Sequence, residues 1–587
     1  VREIGVPIEF PVPDLANLTD TPFERAAAEP GRIVLRRRRG DAWSAVTAAE
    51  FAAEVSAVAK GLIAAGIRPG DRVALMSRTR YEWTVLDYAV WTAGAVTVPV
   101  YETSSPAQIA WIAGDSGAVA AFAETPAHLD ALAGLRNELP GLRHVWGIDT
   151  GDLDALVGDG ADVPDETVAL RRQGVVADDP ATIVYTSGTT GRPKGCELTH
   201  RNFLGTARNV VRGGVPQIAE GNASTLLFLP LAHVFARLIQ VGCVEYGMVL
   251  AHSDVPSLQR DLATFRPTFL LAVPRVFEKV HNGAAQKAAA EGKGRIFDLA
   301  AETAVAYSRS LDAGGPGLGL RLRHRVFDRL VYGRLRAAVG GRLRYAMSGG
   351  AALGERLGHF FRGVGIQIIE GYGLTETTAP VLGNRFTPGG NRMGTVGRPF
   401  PGTDLRVSDD GEILVRGISV FKGYWNDKEA TGRAVRDGWF HTGDLGVLDP
   451  DGFLKITGRK KEILVTAAGK NVAPGPLEDL IRAHPLVSQV LVVGDGRRFV
   501  AALVTLDEEA VTAWRALHPG GDVRTEIDAA VAAANATVSR AEGIRKYTIL
   551  DTDWTEESGH LTPSLKVRRH TVMRDFAAEI EALYDAR

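Results

Sequence analysis

Between positions 185 and 195 the chain reads YTSGTTGRPKG, a stretch rich in groups that hold phosphate. Gly188, Gly191 and Gly195 let backbone amides come close to phosphate oxygens. The hydroxyls of Thr186, Ser187, Thr189 and Thr190 add donors, and Lys194 adds a positive charge. An apolar run at 182–184 stands directly before it, so the loop follows a strand. It is not the Gly, four residues, Gly-Lys-Ser/Thr loop, because Pro193 precedes the lysine. A plain surface loop is the alternative, since Gly/Ser/Thr clusters often serve only as loops.

Other positions carry chemistry of a complementary kind. Tyr372, in GYGLTET at 371–377, offers an aromatic face suited to a purine, and Glu376 a carboxylate suited to Mg²⁺. Asp444, in HTGDL at 441–445, offers paired acceptors for a diol. Singly, each has a plainer reading: a core aromatic, a turn aspartate, and for Lys566 in LTPSLK a solvated lysine.

Seven such segments occur in order, and together they resemble the adenylate-forming superfamily of acyl-CoA synthetases, peptide-synthetase adenylation domains and beetle luciferases. They are YTSGTTGRPKG, PLAH at 230–233, SGGA at 348–351, GYGLTET, HTGDL, and GRKKE at 458–462 followed by LTPSLK at 561–566. The resemblance implies ATP/AMP contacts from residues 186–191 and Lys194, from Gly349, Gly350 and Ala351, from Gly371, Tyr372, Gly373 and Thr375, and from Asp444 and Arg459. It implies catalytic roles for Lys566, His233, Thr375 and Glu376, with Thr186 and Glu376 at Mg²⁺. Lys461 would be a hinge and Gly469 would border a coenzyme A channel. VYETSS at 100–105, EGYGLTETT at 370–378, LTPSLKVR at 561–568 and a helix-rich stretch after VPRVFE at 273–278 are most similar to long-chain fatty acyl-CoA synthetases. The implied substrates are a fatty acid, ATP and coenzyme A. An enzyme stopping at acyl-AMP or loading a carrier protein, and an inactive nucleotide- or lipid-binding homologue, are the alternatives.

These groups need a scaffold of alternating elements. Residues 47–66 read as an amphipathic helix with Phe51, Val55, Val58, Ala59, Leu62 and Ile63 on one stripe. Thr47 and Glu50 form a capping box, and Gly66 supplies the stop. Short apolar runs at 73–76, 95–100, 119–122, 182–185, 226–229 and 269–273, with a helix at 82–91, predict α/β layers with largely parallel sheets. After Gly397 the turn signals at 409–411 and 449–452 predict an antiparallel, β-rich subdomain. Strands at 490–493 and 499–506 among helices predict a small α+β C-terminal domain. The expected division is 1–458, a large acyl- and ATP-binding domain, and 459–587, a mobile lid. Phe235 and the 242–248 segment are candidate lining for an apolar acyl tunnel, with ordinary core packing as the alternative. Residues 313–319 read as a loop between helices.

The chain has 587 residues and a formal charge of −2, which offers no excess of Lys and Arg for bulk nucleic-acid binding. Two cysteines give no disulfide framework and fit a reducing cytoplasm, and the histidines show no zinc-site spacing. No apolar run reaches about 18 residues and the first residues do not read as a secretory signal, so a soluble cytoplasmic protein is expected. Residues 321–344 hold eight arginines interleaved with Leu322, Val326, Leu330, Leu335 and Val339. A solvated helix face packed on the domain is the commoner use of such a stripe. Peripheral contact with an anionic membrane is the other. Arg36 to Arg39 are expected in an exposed strand or hairpin.

Overall fold

The computed structural model describes residues 2–186, 192–562 and 565–585. Two large sheets carry most of the chain. In the first, the strands Val96–Val100, Arg72–Met76, Ala118–Ala123 and His144–Gly147 run parallel, with Pro180–Thr186 parallel to Val96–Val100 and Lys194–Thr199 returning antiparallel. In the second, Gln367–Tyr372, Tyr345–Ser348, Phe269–Ala272, Ser224–Leu227, Val249–His252 and Ile33–Arg39 are parallel, and antiparallel strands close both edges. Buried on both faces, the central strands Arg72–Met76, Val96–Val100, Ala118–Ala123 and Phe269–Ala272 are near-continuous apolar runs, as parallel sheets require. The architecture is the α/β layering expected from the sequence.

The helix Ala48–Ala64 forms with its capping box intact, and Gly66 takes the left-handed φ of +80° that ends it. Phe51, Val55, Val58, Ala59 and Leu62 are buried, while Ile63 is only partly so. Deeper in the same layer, Arg237 is fully buried: its Nε donates to Asp87 at 2.8 Å and its Nη1 to Thr182 Oγ1 at 2.5 Å. This ties the helix Val234–Tyr246, which begins right after His233, to the strand that leads into residues 187–191. Removing one partner of such a pair costs about 3–5 kcal/mol.

A six-stranded sheet, antiparallel throughout, follows the layers. Residues 409–411 turn Thr403–Val407 into Glu412–Gly417, and residues 449–452 turn Trp439–Leu448 into Leu454–Arg459, as expected. Last comes a three-stranded sheet, Val487–Val493, Val500–Leu506 and Ile544–Ile549. Its alternating side chains serve two cores. Val490, Val492, Ala502 and Val504 pack under the helices Pro474–Arg482 and Val523–Asn535, and Leu491, Val493, Ala501 and Leu503 pack under Ala577–Asp585.

Three expectations need correction. Residues 321–344 are not one helix: Leu318–Phe327 runs into a wider π turn, Asp328–Tyr332, and a short helix ends at Ala338. Nor do its apolar residues share a face, since Leu335 and Val339 are buried whereas Leu322, Val326 and Leu330 are exposed. The loop before it is shorter than 313–319, because Leu318 and Gly319 already belong to the helix. The strand Ile33–Arg39 forms the hairpin, but its arginines are not simply exposed: Arg37 pairs with Glu82, and Arg38 pairs with the buried Asp261 at 2.9 Å. Both cysteines are free and buried. Among the described residues no helix is long and apolar enough to cross a membrane.

Candidate active site

The first edge of the site is the hairpin around residues 187–191. Ser187, Gly188, Thr189, Thr190 and Gly191 lie outside the described residues, but both flanks are in place, with Thr186 opposite Lys194. Gly195 also has a packing task. A Cβ there would sit 2.6 Å from Ile183 Cγ2, so glycine is needed for strand packing. The exposed Lys194 holds its ammonium 5.0 Å over the ring of Tyr424, and the Tyr424 hydroxyl donates to Glu376 Oε1 at 2.8 Å. Thr375 and Glu376 open a single 3₁₀ turn after the strand Gln367–Tyr372, and the Glu376 carbonyl accepts from the Phe421 amide at 2.8 Å. Among the described residues Glu376 Oε2 accepts no hydrogen bond.

Two turns at the ends of parallel strands form the floor. After Tyr345–Ser348, a Cβ on Gly349 would lie 2.5 Å from the Phe235 ring, and Gly350 has a φ of +85°. Here glycine is required by both close approach and backbone sign. The Leu353 amide donates to the buried Glu370 at 2.8 Å, fixing the turn from beneath. Burial pushes the Glu370 carboxyl up to about 7, and Asp479 and Glu355 add to the shift. Gly373 has no room for a side chain, since a Cβ would meet the Ala379 carbonyl at 2.1 Å.

On the opposite wall Asp444 receives two hydrogen bonds, from Tyr372 Oη at 2.6 Å and from Arg459 Nε at 2.8 Å. Burial raises the Tyr372 phenol well above its ordinary value, and the Asp444 charge reinforces this, so it stays a donor. Burial works against the Arg459 charge, yet Asp444 outweighs it and holds the guanidinium above its usual value.

Lys566 closes the cleft from the far end of the chain. It sits in a tight turn: the Thr562 amide donates to the Lys566 carbonyl at 2.8 Å, and Leu565 before it has a φ of +62°. A left-handed leucine is strained, and such strain concentrates at functional positions. The Lys566 Cε lies 3.9 Å from where a Cβ on Gly350 would be. Although the lysine is open to the cleft, the protein around its ammonium and then Arg459 lower its pKa, with Asp444 and Glu462 opposing. His233, at the start of its helix, is pushed down to about 4 by burial and then by the Lys566 charge, so it is a neutral imidazole at pH 7.

Residues 233, 350, 372, 444, 459 and 566 are therefore brought together, and Lys194 and Glu376 meet at Tyr424. Among the described residues Gly469 contacts neither group. That loop is exposed and bonds within its own part of the chain, Ala467 to the Arg497 carbonyl and Lys470 to Glu542. Lys461 is exposed in the short turn Lys460–Glu462, beside Lys460, which pairs with Asp410 and Glu412.

Beside the Phe235 ring that packs on Gly349, a slot of about 20 Å³ runs between Phe235, Met347, Phe269, Val211, Gly242 and Met248, all apolar. Phe235 and part of the 242–248 segment thus line one cavity. Sequence reasoning missed Tyr424, which lies outside every motif, and gave no role to Glu370 and Arg275, which stand inside EGYGLTETT and VPRVFE. Arg275 donates to Asp507 at 2.5 Å and to the Val487 carbonyl at 3.3 Å.

The chain matches the AMP-binding enzyme family over residues 23–425, and the AMP-binding enzyme C-terminal domain over residues 461–587. It belongs to the AMP-binding enzyme family. Within this AMP-binding family it is 50% identical to the long-chain-fatty-acid–CoA ligase FadD15 of Mycobacterium tuberculosis, with 100% of both chains covered. It is 32% identical to the peroxisomal long chain acyl-CoA synthetase 7 of Arabidopsis thaliana, over 92% of this chain and 82% of the relative. The adenylation domain of a carboxylate reductase from Mycobacterium chelonae shares the AMP-binding fold at 22% identity and a TM-score of 0.74, covering 97% of this chain and 91% of that one.

Proposed function

We infer that this AMP-binding enzyme is a long-chain fatty acid–CoA ligase. The observation that carries the reading is the seating of Lys566 over Gly350, facing His233 and the Tyr372–Asp444–Arg459 cluster, with an apolar slot beside Phe235. Full-length identity of 50% to a ligase with that name supports the substrate class.

A carboxylate is a poor acyl donor because oxide would have to leave. Its oxygen attacks the ATP α-phosphorus, the bond to the β-phosphate oxygen breaks, and pyrophosphate departs from an acyl-AMP anhydride. Negative charge builds on phosphate and carboxylate oxygens, so fixed positive groups are what catalysis needs. Lys566 supplies one at the α-phosphate and carboxylate, and Lys194 supplies one at the outer phosphates. Asp444 holds the ribose diol, Tyr372 lies along the adenine, and the Gly349–Gly350–Ala351 turn brings backbone up to the nucleotide. Neutral His233 hydrogen-bonds at the carboxylate without adding a second charge next to Lys566.

Glu376, with Thr186, fits Mg²⁺: one carboxylate with a free oxygen, completed by substrate phosphates, suits that ion's preference for few protein ligands. When bound it supplies charge neutralisation to the phosphates. In the second step the coenzyme A thiol gives its proton to solvent, its sulfur bonds to the acyl carbon, the carbon–oxygen bond to AMP breaks, and AMP leaves. We assign 1–458 to the acyl- and ATP-binding domain and 459–587 to a lid turning about Lys461, which withdraws Lys566 and brings Gly469 to the cleft. The slot must open for an acyl chain, since its present volume holds about one water.

ATP–pyrophosphate exchange across acids of two to twenty carbons tests the reading. Exchange strongest with long acids supports it, and exchange confined to short or aromatic acids contradicts it.

A further inference from the structure

Lys194 and Glu376 are opposite charges that approach one side chain without pairing. Lys194 opens the strand Lys194–Thr199 of the first large sheet, and Glu376 follows the strand Gln367–Tyr372 of the second. Among the described residues no ion pair joins them, and what touches both is Tyr424. Its ring takes the Lys194 ammonium at 5.0 Å, and its hydroxyl donates to Glu376 Oε1 at 2.8 Å. An ammonium and a carboxylate this close attract each other. A direct pair would use up the Lys194 charge and occupy the Glu376 oxygens.

Tyr424 is itself fixed from several sides. The short strand Gly423–Tyr424 pairs antiparallel with Lys194–Thr199, which sets Tyr424 opposite Cys196. Its amide donates to Thr431 Oγ1 at 2.9 Å, and its ring packs edge-on against Phe421 with centroids 4.8 Å apart. The neighbouring residues complete the tie. The Phe421 amide donates to the Glu376 carbonyl at 2.8 Å, and the Trp425 amide to the Gly195 carbonyl at 2.7 Å. Backbone contacts from residues 421–425 thus join the turn that carries Glu376 to the strand that carries Lys194, and Tyr424 holds the two charged ends. Glu376 has Oε1 occupied and Oε2 without a hydrogen bond among the described residues. A carboxylate oriented through one oxygen keeps the other for a metal.

We propose that Tyr424 is the positioning residue of the metal and outer-phosphate end of the site. It keeps Glu376 Oε2 free for Mg²⁺ and Lys194 free for phosphate, and prevents the two from neutralising each other. This deepens the ligase reading and rests on it, because ATP and Mg²⁺ enter through that reading. The hydroxyl acts on Glu376 and the ring on Lys194, so two substitutions separate the tasks. Tyr424→Phe keeps the ring and its packing on Phe421 but deletes the donor, and Tyr424→Leu deletes both.

The test is calorimetric titration of ATP into the full chain, in EDTA and in excess Mg²⁺, for wild type and both variants. Wild type should bind ATP more tightly with Mg²⁺. Tyr424→Phe should match wild type in EDTA yet lose about tenfold or more in Mg²⁺, the usual effect of removing a hydrogen bond that orients a metal ligand. Tyr424→Leu should bind more weakly under both conditions. In pyrophosphate exchange the Mg²⁺ concentration giving half the maximal rate should rise by a similar factor in Tyr424→Phe, with KM for the acid unchanged. A Tyr424→Phe variant with a wild-type Mg²⁺ response overturns the proposal. So does one weakened equally in EDTA and Mg²⁺, which would make the residue merely structural. Wild type that binds no ATP under either condition would overturn the ligase reading itself, and this proposal with it.

Discussion

Tyr372 and Asp444, 72 positions apart in sequence, meet through a 2.6 Å hydrogen bond in which the phenol donates and the carboxylate accepts. Arg459 occupies the other carboxylate oxygen at 2.8 Å. The aspartate is thus held at a fixed angle before any nucleotide arrives, with lone pairs still available on both oxygens. Asp444→Ala removes two charge-assisted acceptors for the ribose and frees Arg459. Hydrogen bonds to charged groups are worth about 1.5–3 kcal/mol, so KM for ATP should rise roughly ten- to a hundredfold in pyrophosphate exchange, while KM for the acid changes little. An unchanged KM for ATP would remove Asp444 from the nucleotide site.

Arg275, on the helix Pro274–Ala290, reaches Asp507 at 2.5 Å and the Val487 carbonyl at 3.3 Å, joining the large layers to the C-terminal sheet. This contact exists in the arrangement that seats Lys566. Arg275→Met should slow acyl-AMP formation about three- to tenfold, the worth of one partly buried charged contact. Thioester formation from supplied acyl-AMP should be unchanged or faster. Equal slowing of both steps would make the contact merely structural.

The Glu370 carboxyl titrates near 7 in the fold against an ordinary value of 4.5. Between those pH values the native state keeps a proton that the unfolded chain has lost, so this group's stabilisation is present at low pH and is lost as pH rises. Glu370→Gln keeps an acceptor for the Leu353 amide and cannot ionise. Wild type and variant should melt alike near pH 4.5, and wild type should fall behind by roughly 2–3 kcal/mol by pH 8. Parallel melting curves across that range would show that Glu370 ionises normally.

Gly242 faces the apolar slot, and a Cβ there would have only Val211 as a near neighbour, at 3.8 Å. Gly242→Ala should therefore fold and narrow the slot, which has no room for a larger side chain. Preference should move to shorter acids, with about fourfold lost per displaced methylene, from roughly 0.8 kcal/mol each. An unchanged chain-length profile would place the acyl chain elsewhere.

Much of this was legible in the residues themselves. Parallel strands declared themselves as short Val/Ile/Ala runs, and the helix after Thr47 as a capping box plus a 3.6-residue stripe. The cleft residues were found because each lies in a motif with chemical sense. Tyr424 and Arg275 were not, because their roles arise from contacts across the fold, with Lys194 and Glu376 in one case and Asp507 in the other. For Gly195 the residues showed only the phosphate-loop reason for glycine, and its packing against Ile183 is visible only in the fold. The arginine segment misled for a related reason: a π turn at Asp328–Tyr332 rotates its later residues, so Leu335 and Val339 enter the core while Leu322 does not.

The most direct measurement follows palmitate, ATP and coenzyme A to products, in wild type and in Lys566→Ala, with palmitoyl-AMP supplied in a parallel arm. Wild type should give palmitoyl-CoA and AMP in equal amounts. The variant should make neither from palmitate, yet convert palmitoyl-AMP to palmitoyl-CoA at a near wild-type rate. Wild-type palmitoyl-AMP that never becomes the thioester, or a variant that activates palmitate normally, would contradict the account.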